Sequence, residues 1–143
     1  MLAHTISPTI EQQLINRFQA EGLMPHLGAQ LVSVQPGHVT IELPCSPTMA
    51  EQDGVFHAER VTSMIDAVCE YAAYTQTVAD APMRTAAYKV NILNRSPGDK
   101  LIIHGRVLRA GQKVTMCHGE ALVYQNGREQ VYATMLVTLV ADN

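Results

Sequence analysis

The sequence predicts an α+β fold in which a curved antiparallel sheet of about five or six strands wraps around one long helix. An amphipathic stretch at residues 54–76 is long enough for a helix of about five turns. Runs that alternate apolar and polar residues lie on both sides of it. The last two runs are joined by Asn126-Gly127, the strongest short signal for a β-hairpin. A helix of this length cannot lie at a sheet edge, so we expect the sheet to curl around it.

A short helix is predicted near the N-terminus, at residues 9–22. Pro8 suits a first helical turn, and Gly22 suits a helix end. Its apolar face comprises Leu14, Ile15 and Phe18. We expect this face to pack on the core.

A β-hairpin is predicted next, at residues 29–34 and 38–43. The two runs flank Pro36-Gly37, a turn pair. In the second run polar residues alternate with Val39, Ile41 and Leu43. This alternation is typical of a strand with one buried face.

The long helix carries an apolar stripe and an acidic face. The stripe follows helical spacing and comprises Val61, Met64, Ile65, Val68 and Ala72. Glu59, Asp66 and Glu70 share the opposite face, because seven and then four residues separate them.

Four further strands are predicted after the long helix, at residues 85–93, 101–109, 114–124 and 128–140. The last strand places on one face Val131, Ala133, Met135, Val137 and Leu139. A single helix covers only part of a sheet of this size. The uncovered face and edge therefore predict a partner subunit.

Length and charge limit the classes of function. The chain has 143 residues, of which 47% are hydrophobic, so we expect one domain, residues 1–143, with a sizeable core. The net charge is −3. This lack of basic excess argues against nucleic acid as a partner.

The cysteines and the N-terminus predict a cytoplasmic protein. Cys45, Cys69 and Cys117 form no CxxC pair, so we predict no metal site and interpret them as small buried residues in a reducing compartment. No apolar run approaches the roughly 18 residues of a membrane span, so no membrane partner is expected. The N-terminal stretch lacks a basic region followed by an apolar one, which predicts no signal peptide.

The start of the long helix resembles a known family. Gly54, His57, Ala58 and Asp66 fall where hotdog-fold acyl-CoA thioesterases have G-x-x-H-G-G or H-A-G and an acid nine residues after the His. The branch most similar is that of bacterial phenylacetyl-CoA thioesterase. Weaker matches lie in Val90-Asn91-Ile92-Leu93, Ser96-Pro97 and Arg109-Ala110-Gly111. The resemblance implies a hotdog fold, a dimer and an acyl-CoA substrate.

Four positions depart from the family pattern. Glu51 stands where Asn or Gln is usual, and Glu59 stands where a second Gly is usual. Glu70 replaces a small or hydroxyl residue, and Ala87 replaces a Ser or Thr seen in some members.

Thioester hydrolysis requires hydrogen-bond donors for the carbonyl oxygen and a carboxylate that attacks the carbonyl or activates water. The N–H groups at a helix start are free and lie at the positive end of its dipole, so Ala58 can supply a donor. Asp66 is the predicted base or nucleophile, but it lies ~12 Å further along the helix. Two antiparallel helices across a twofold axis would bring Ala58 of one subunit near Asp66 of the other. We therefore expect a homodimer with two sites, which could pair further into a dimer of dimers.

The remaining site residues have predicted roles either in the loop before the helix or in binding the substrate. We interpret His57 as orienting the loop, whereas Glu51 either aligns a water or faces solvent. A few basic groups at a site rim suffice for the phosphates of coenzyme A, which we expect only as part of the substrate, with no other cofactor. The predicted contacts to substrate and coenzyme A are Gly54, Glu59, Asn91, Arg95, Arg109 and Lys113.

Two other functions stay open from the sequence. A hotdog dehydratase acting on a hydroxyacyl thioester would require His57 and an acid as a proton-transfer pair. The second open function is a non-catalytic module that binds acyl-CoA or another small ligand. The three departures to Glu, at positions 51, 59 and 70, make it possible, because an additional anion at the helix start opposes an oxyanion.

Overall fold

The computed structural model describes residues 7–20, 22–76 and 82–141. The elements, in chain order, are α1 (Pro8–Ala20), α2 (Leu23–His26), β1 (Gln30–Gln35), β2 (His38–Pro44), α3 (Ala58–Tyr74), β3 (Met83–Ile92), β4 (Lys100–Arg109), β5 (Val114–Gln125) and β6 (Arg128–Ala141). Every predicted helix and strand is present, but the long helix was predicted from residue 54 and begins at Ala58, because residues 54–57 belong to the loop before it. The sequence did not predict α2, because four residues are too few to show a periodic pattern. The predicted end of the first helix includes Glu21, which lies outside the described residues.

The six strands form one antiparallel sheet in the order β1-β2-β4-β5-β6-β3. The helix α3 packs along one face of this sheet and contacts β4 and β5 most extensively. Its predicted apolar stripe is buried throughout. The alternation in β6 is confirmed from Ala133 to Leu139, since Ala133, Met135, Val137 and Leu139 are all buried. The predicted place of Val131 on this face is wrong, because a bulge shifts the register and pairs the half-buried Val131 with the half-buried Leu122. The predicted α+β architecture, a curved sheet around a central helix, is therefore confirmed.

Two glycines allow α3 to lie unusually close to the sheet. A Cβ atom at Gly105 on β4 would lie 2.7 Å from the backbone oxygen of Val68. A Cβ atom at Gly119 on β5 would lie 2.1 Å from the side chain of Ile65. Both distances are shorter than van der Waals contact, so any larger residue would push the helix away. These glycines fix how deeply the helix sits in the sheet.

The strand β3 leaves an apolar strip open beside α3. Tyr88, Val90 and Ile92 pair with β6 residues that face the helix, so their side chains point to the helix side of the sheet. The exposed fraction is nevertheless 56% for Tyr88 and 36% for Ile92, and Leu93 follows with 60%. We call these four residues the β3 edge. Within the described residues β3 pairs only with β6, so the β3 edge combines unpaired backbone groups with exposed apolar side chains, as interfaces between subunits do.

No helix among the residues that the structure describes could span a membrane. None of its helices combines the length and the hydropathy needed to cross a bilayer.

Candidate functional site

The segment between β2 and α3 folds into a tight loop that ends at the start of α3. Ala50 and Phe56 form an isolated β-bridge, and Glu51 N–H donates to the Val55 carbonyl at 3.0 Å. Within this loop Gly54 N–H donates to the Glu51 carbonyl at 2.9 Å. Gly54 has φ +86°, a conformation that glycine adopts without strain. The structure thus explains the glycine of the predicted motif, because Gly54 closes the turn before the helix.

The start of α3 presents two free backbone donors. His57 precedes the helix with extended backbone, φ −69° and ψ 124°, and its N–H donates to the Met49 carbonyl at 2.8 Å. Its carbonyl accepts the first bond of the helix, from Val61 N–H at 3.0 Å. Among the described residues, no group accepts a hydrogen bond from the N–H of Ala58 or Glu59. Both donors lie at the positive end of the helix dipole and can serve an oxygen that gains negative charge.

A cavity of about 820 Å³ lies beside this loop. It is lined by Cys45, Ser46, Pro47, Ala50, Glu51, Gln52, Asp53, Gly54 and His57. The Nδ1 atom of His57 is 4.0 Å from the Oε1 atom of Glu51. One protomer therefore brings together three of the predicted site residues, and Ala58 follows directly in the chain.

The thiol that lines the cavity is not suited to act as the nucleophile. Cys45 is only half-buried, so its interpretation as a buried residue is wrong, whereas Cys69 and Cys117 are fully buried as predicted. The strand β2 ends just before Cys45, which leaves its side chain in the loop rather than in the sheet core. Burial, and to a lesser extent the carboxylate of Asp99, raise the pKa of Cys45. The thiol is therefore protonated at neutral pH and a poor nucleophile.

Asp66 lies two turns into α3, on the side that faces β3. Its side chain is half-buried, and its Oδ1 atom accepts a hydrogen bond of 2.7 Å from the Thr85 hydroxyl. Thr85 was not predicted as a site residue, because the family resemblance places the hydroxyl at position 87. The strand β3 contains a bulge between Thr85 and Ala87. The bulge turns Thr85 toward the helix, where its hydroxyl bonds Asp66, whereas Ala87 pairs with Thr138 on the outer face.

The predicted basic residues fall at two ends of the sheet. Arg95 follows β3 and lies near the hydroxyl of Tyr132, whose pKa burial raises and Arg95 lowers; this hydroxyl donates to the Phe56 carbonyl beside the loop. By contrast, Arg109 and Lys113 flank the turn between β4 and β5. That end of β4 is bonded to Gly37, beside the end of α3 rather than its start. A single protomer thus places Arg95 near the loop, and Arg109 and Lys113 far from it.

The two other predicted contacts are exposed. Asn91 pairs with Thr134 and lies on the outer face of the sheet. Glu59 lies in the first turn of α3, next to the free donors. Neither residue lines the cavity, and Glu59 places a negative charge near the helix start.

Comparisons with known proteins relate the chain to thioesterases. A family model described as the acyl-CoA thioesterase N-terminal domain matches residues 48–140. A thioesterase family protein from Silicibacter pomeroyi is 30% identical and has a TM-score of 0.87, covering 92% of this chain and 97% of its own. A search of curated proteins found no match.

Two more distant structures share the fold. The PaaI protein from the phenylacetic acid degradation operon of E. coli is 16% identical, with a TM-score of 0.83 and 97% of each chain covered. A Streptococcus mutans protein with bound acetyl CoA is 18% identical, with a TM-score of 0.70, covering 80% of this chain and 89% of its own.

Proposed function

Since the chain belongs to the acyl-CoA thioesterase N-terminal domain family and is a thioester hydrolase, we propose that it hydrolyses a small aromatic or a short- to medium-chain acyl-CoA. We further propose that each reaction site lies between the two subunits of a homodimer. One observation carries this proposal. The free N–H groups at the start of α3 and the carboxylate of Asp66 lie on one helix, yet they are too far apart to act on one carbonyl within a subunit.

The distance between Ala58 and Asp66 along α3 is the reason for placing the site between two subunits. Eight residues separate Ala58 from Asp66, which corresponds to ~12 Å at 1.5 Å per residue. A thioester carbonyl needs its oxygen at ~3 Å from a donor and its carbon at ~3 Å from the attacking oxygen. Asp66 lies beside β3, bonded to Thr85, so a second subunit paired along β3 can bring its own helix start to this carboxylate. The exposed Tyr88 and Ile92 of the β3 edge would be covered by the same pairing.

The proposed reaction proceeds from this shared geometry. The Ala58 N–H of one subunit donates to the thioester oxygen as it gains negative charge. Asp66 of the other subunit either takes a proton from a water that attacks the carbonyl carbon or attacks this carbon itself. The carbon–sulfur bond then breaks, and the coenzyme A thiolate leaves and takes up a proton. In the second case water hydrolyses the resulting anhydride, so both routes yield a carboxylate and free coenzyme A.

The hydroxyl of Thr85 holds the Asp66 carboxylate in this reaction. We expect Thr85→Val to lower kcat about tenfold, because a carboxylate free to rotate spends less time in the attacking geometry. The KM for the acyl-CoA should change little, since Thr85 does not bind the substrate. Steady-state kinetics of purified Thr85→Val and of Thr85→Ser, which keeps the hydroxyl, would measure this. A Thr85→Val variant as active as the Ser variant would contradict the role.

Coenzyme A binding is assigned to the basic residues at the rim. Arg95 lies nearest the loop and is the first candidate for a phosphate contact, with Asn91 on the same strand exit. The strand β4 has ten residues and spans ~30 Å at ~3 Å per residue, so Arg109 and Lys113 would have to come from the other subunit. We propose no cofactor besides the coenzyme A of the substrate. Free thiols at all three cysteines support a cytoplasmic location.

One assay tests this function against its alternatives. Release of free thiol is followed with short, medium and aromatic acyl-CoAs, and we expect hydrolysis of at least one of these classes. The His57–Glu51 pair, at 4.0 Å, is the observation that favours a dehydratase. Water loss from a hydroxyacyl-CoA without thiol release would establish that alternative. Tight binding of acyl-CoA with neither reaction would instead support a binding module.

A further inference from the structure

Tyr132 occupies an irregular position in β6. In the ladder between β5 and β6, Ala121 pairs with Ala133, whereas Leu122 pairs with Val131. Tyr132 is therefore the extra residue of a β-bulge. A bulge turns one side chain away from the regular alternation of its strand, and bulges are frequent beside active sites. Here both Tyr132 and its neighbour Ala133 are fully buried, which a regular strand with one exposed face would not allow.

The bulge directs the phenol to the loop before α3. The Tyr132 hydroxyl donates to the Phe56 carbonyl at 2.8 Å, and this bond is buried. Phe56 directly precedes His57, so the bond is made two residues before the free N–H of Ala58. The backbone carbonyl of Tyr132 also accepts from Leu93 N–H at 2.8 Å. One residue thus fixes both the end of β3 and the start of α3.

The loop has few other attachments at this point. The bridge between Ala50 and Phe56 is internal to the loop, and His57 N–H donates to the Met49 carbonyl within the same segment. Gly98 N–H reaches the Gly54 carbonyl at the longer distance of 3.3 Å. The bond from Tyr132, at 2.8 Å, holds the part of the loop next to α3, whereas an equally short bond from Cys45 N–H to the Asp99 carbonyl holds the opposite end of the loop. Burial raises the pKa of Tyr132, although Arg95 opposes the rise, so the phenol keeps the proton that it donates.

On the basis of the thioesterase function proposed above, we propose that Tyr132 is a positioning residue, which holds the Phe56 carbonyl and thereby directs the Ala58 N–H toward the thioester oxygen. The phenol touches no reacting atom. Its effect on the reaction is transmitted through the backbone of Phe56 and His57 to the Ala58 N–H. An oxyanion donor acts only when it is held at hydrogen-bond distance, and a displacement of about 1 Å can cost a factor of about 100 in rate.

The substitution Tyr132→Phe removes only the hydroxyl and keeps the buried ring. We expect kcat to fall about 10- to 100-fold, with KM changing less than about twofold, because the affected contact strengthens in the transition state. Tyr124→Phe on the adjacent strand β5 is the matched control and should keep the wild-type kcat. An unchanged kcat in Tyr132→Phe would overturn the proposal, and so would a rise in KM alone.

Amide hydrogen exchange separates positioning from a general loss of stability. In Tyr132→Phe, NMR should show exchange at least about tenfold faster at the hydrogen-bonded loop amides of His57 and Glu51, with unchanged exchange in the β1–β2 hairpin. Faster exchange throughout the protein, or no change at His57 and Glu51, would overturn the positioning role. This readout does not depend on turnover. A wild type that releases no thiol would refute the proposed function, while the exchange comparison would still decide what Tyr132 does.

Discussion

Replacing Asp66 with asparagine is expected to lower kcat about 100- to 10,000-fold, the range that a positioned general base contributes. The amide cannot take a proton from water, and it cannot attack a carbonyl carbon as a carboxylate does. It nearly matches the carboxylate in size and can still accept a bond from Thr85. We therefore expect the thermal stability and the affinity for acyl-CoA to stay near those of the wild type. Steady-state thiol release and a direct binding titration would measure the two effects separately.

The matched control for this acid is Glu129→Gln, an equivalent change at an exposed position of β6. It should leave kcat within about twofold, since surface substitutions of this kind rarely disturb a distant site. Equal rates in Asp66→Asn and in the wild type would remove Asp66 from the reaction. They would leave the family assignment intact and require another base, of which Glu51, close to His57, would be the next candidate.

Removing the N–H of Ala58 should have the second largest effect. The substitution Ala58→Pro deletes this donor, and we expect kcat to fall about 100- to 1,000-fold, as for loss of an oxyanion donor elsewhere. Proline suits this position, because Ala58 is the first residue of α3 and its N–H has no partner in the described structure. A residue that precedes proline must be extended, and His57 already has ψ 124°. The helix should therefore form, and circular dichroism and thermal melting would verify it.

Ala58→Gly is the control for the proline variant, since it changes the side chain and keeps the N–H. It should retain most of the activity. A folded Ala58→Pro enzyme with wild-type kcat would show that the oxyanion is stabilised elsewhere. Equal losses in the glycine and proline variants would show that the methyl group, and not the N–H, is the important feature.

Regular elements could be predicted from the sequence because they repeat a pattern. The alternation in β6 predicts the strand, and the Asn126-Gly127 turn predicts how β5 and β6 pair beside it. The stripe of α3, from Val61 to Ala72, gives the buried side of the helix. Irregular features could not be predicted in this way. A bulge adds one residue to one strand, and no periodicity shows where this happens, so the inward positions of Thr85 and Tyr132 appear only in the structure.

The residues of the candidate site likewise fall into a group that could be predicted from the sequence and a group that could not. Residues next to each other in the chain, from Gly54 to Ala58, could be assigned because their spacing defines the loop and the helix start. The basic residues could not be placed, because their positions depend on which ends of the sheet meet. Arg95 lies beside the loop through Tyr132, whereas Arg109 and Lys113 lie at the end of α3. In the proposed homodimer, the arrangement of the two subunits would decide whether these groups meet at one ligand.

Mixed dimers test the shared site most directly. Asp66→Asn and Ala58→Pro subunits, each inactive alone, are unfolded together, refolded as a mixture and assayed for thiol release. A site made from Ala58 of one subunit and Asp66 of the other is intact once in every mixed dimer. With random pairing we therefore expect about a quarter of the wild-type activity per subunit. A mixture that stays as inactive as its two components, although mass spectrometry shows that mixed dimers have formed, would contradict a site shared between subunits.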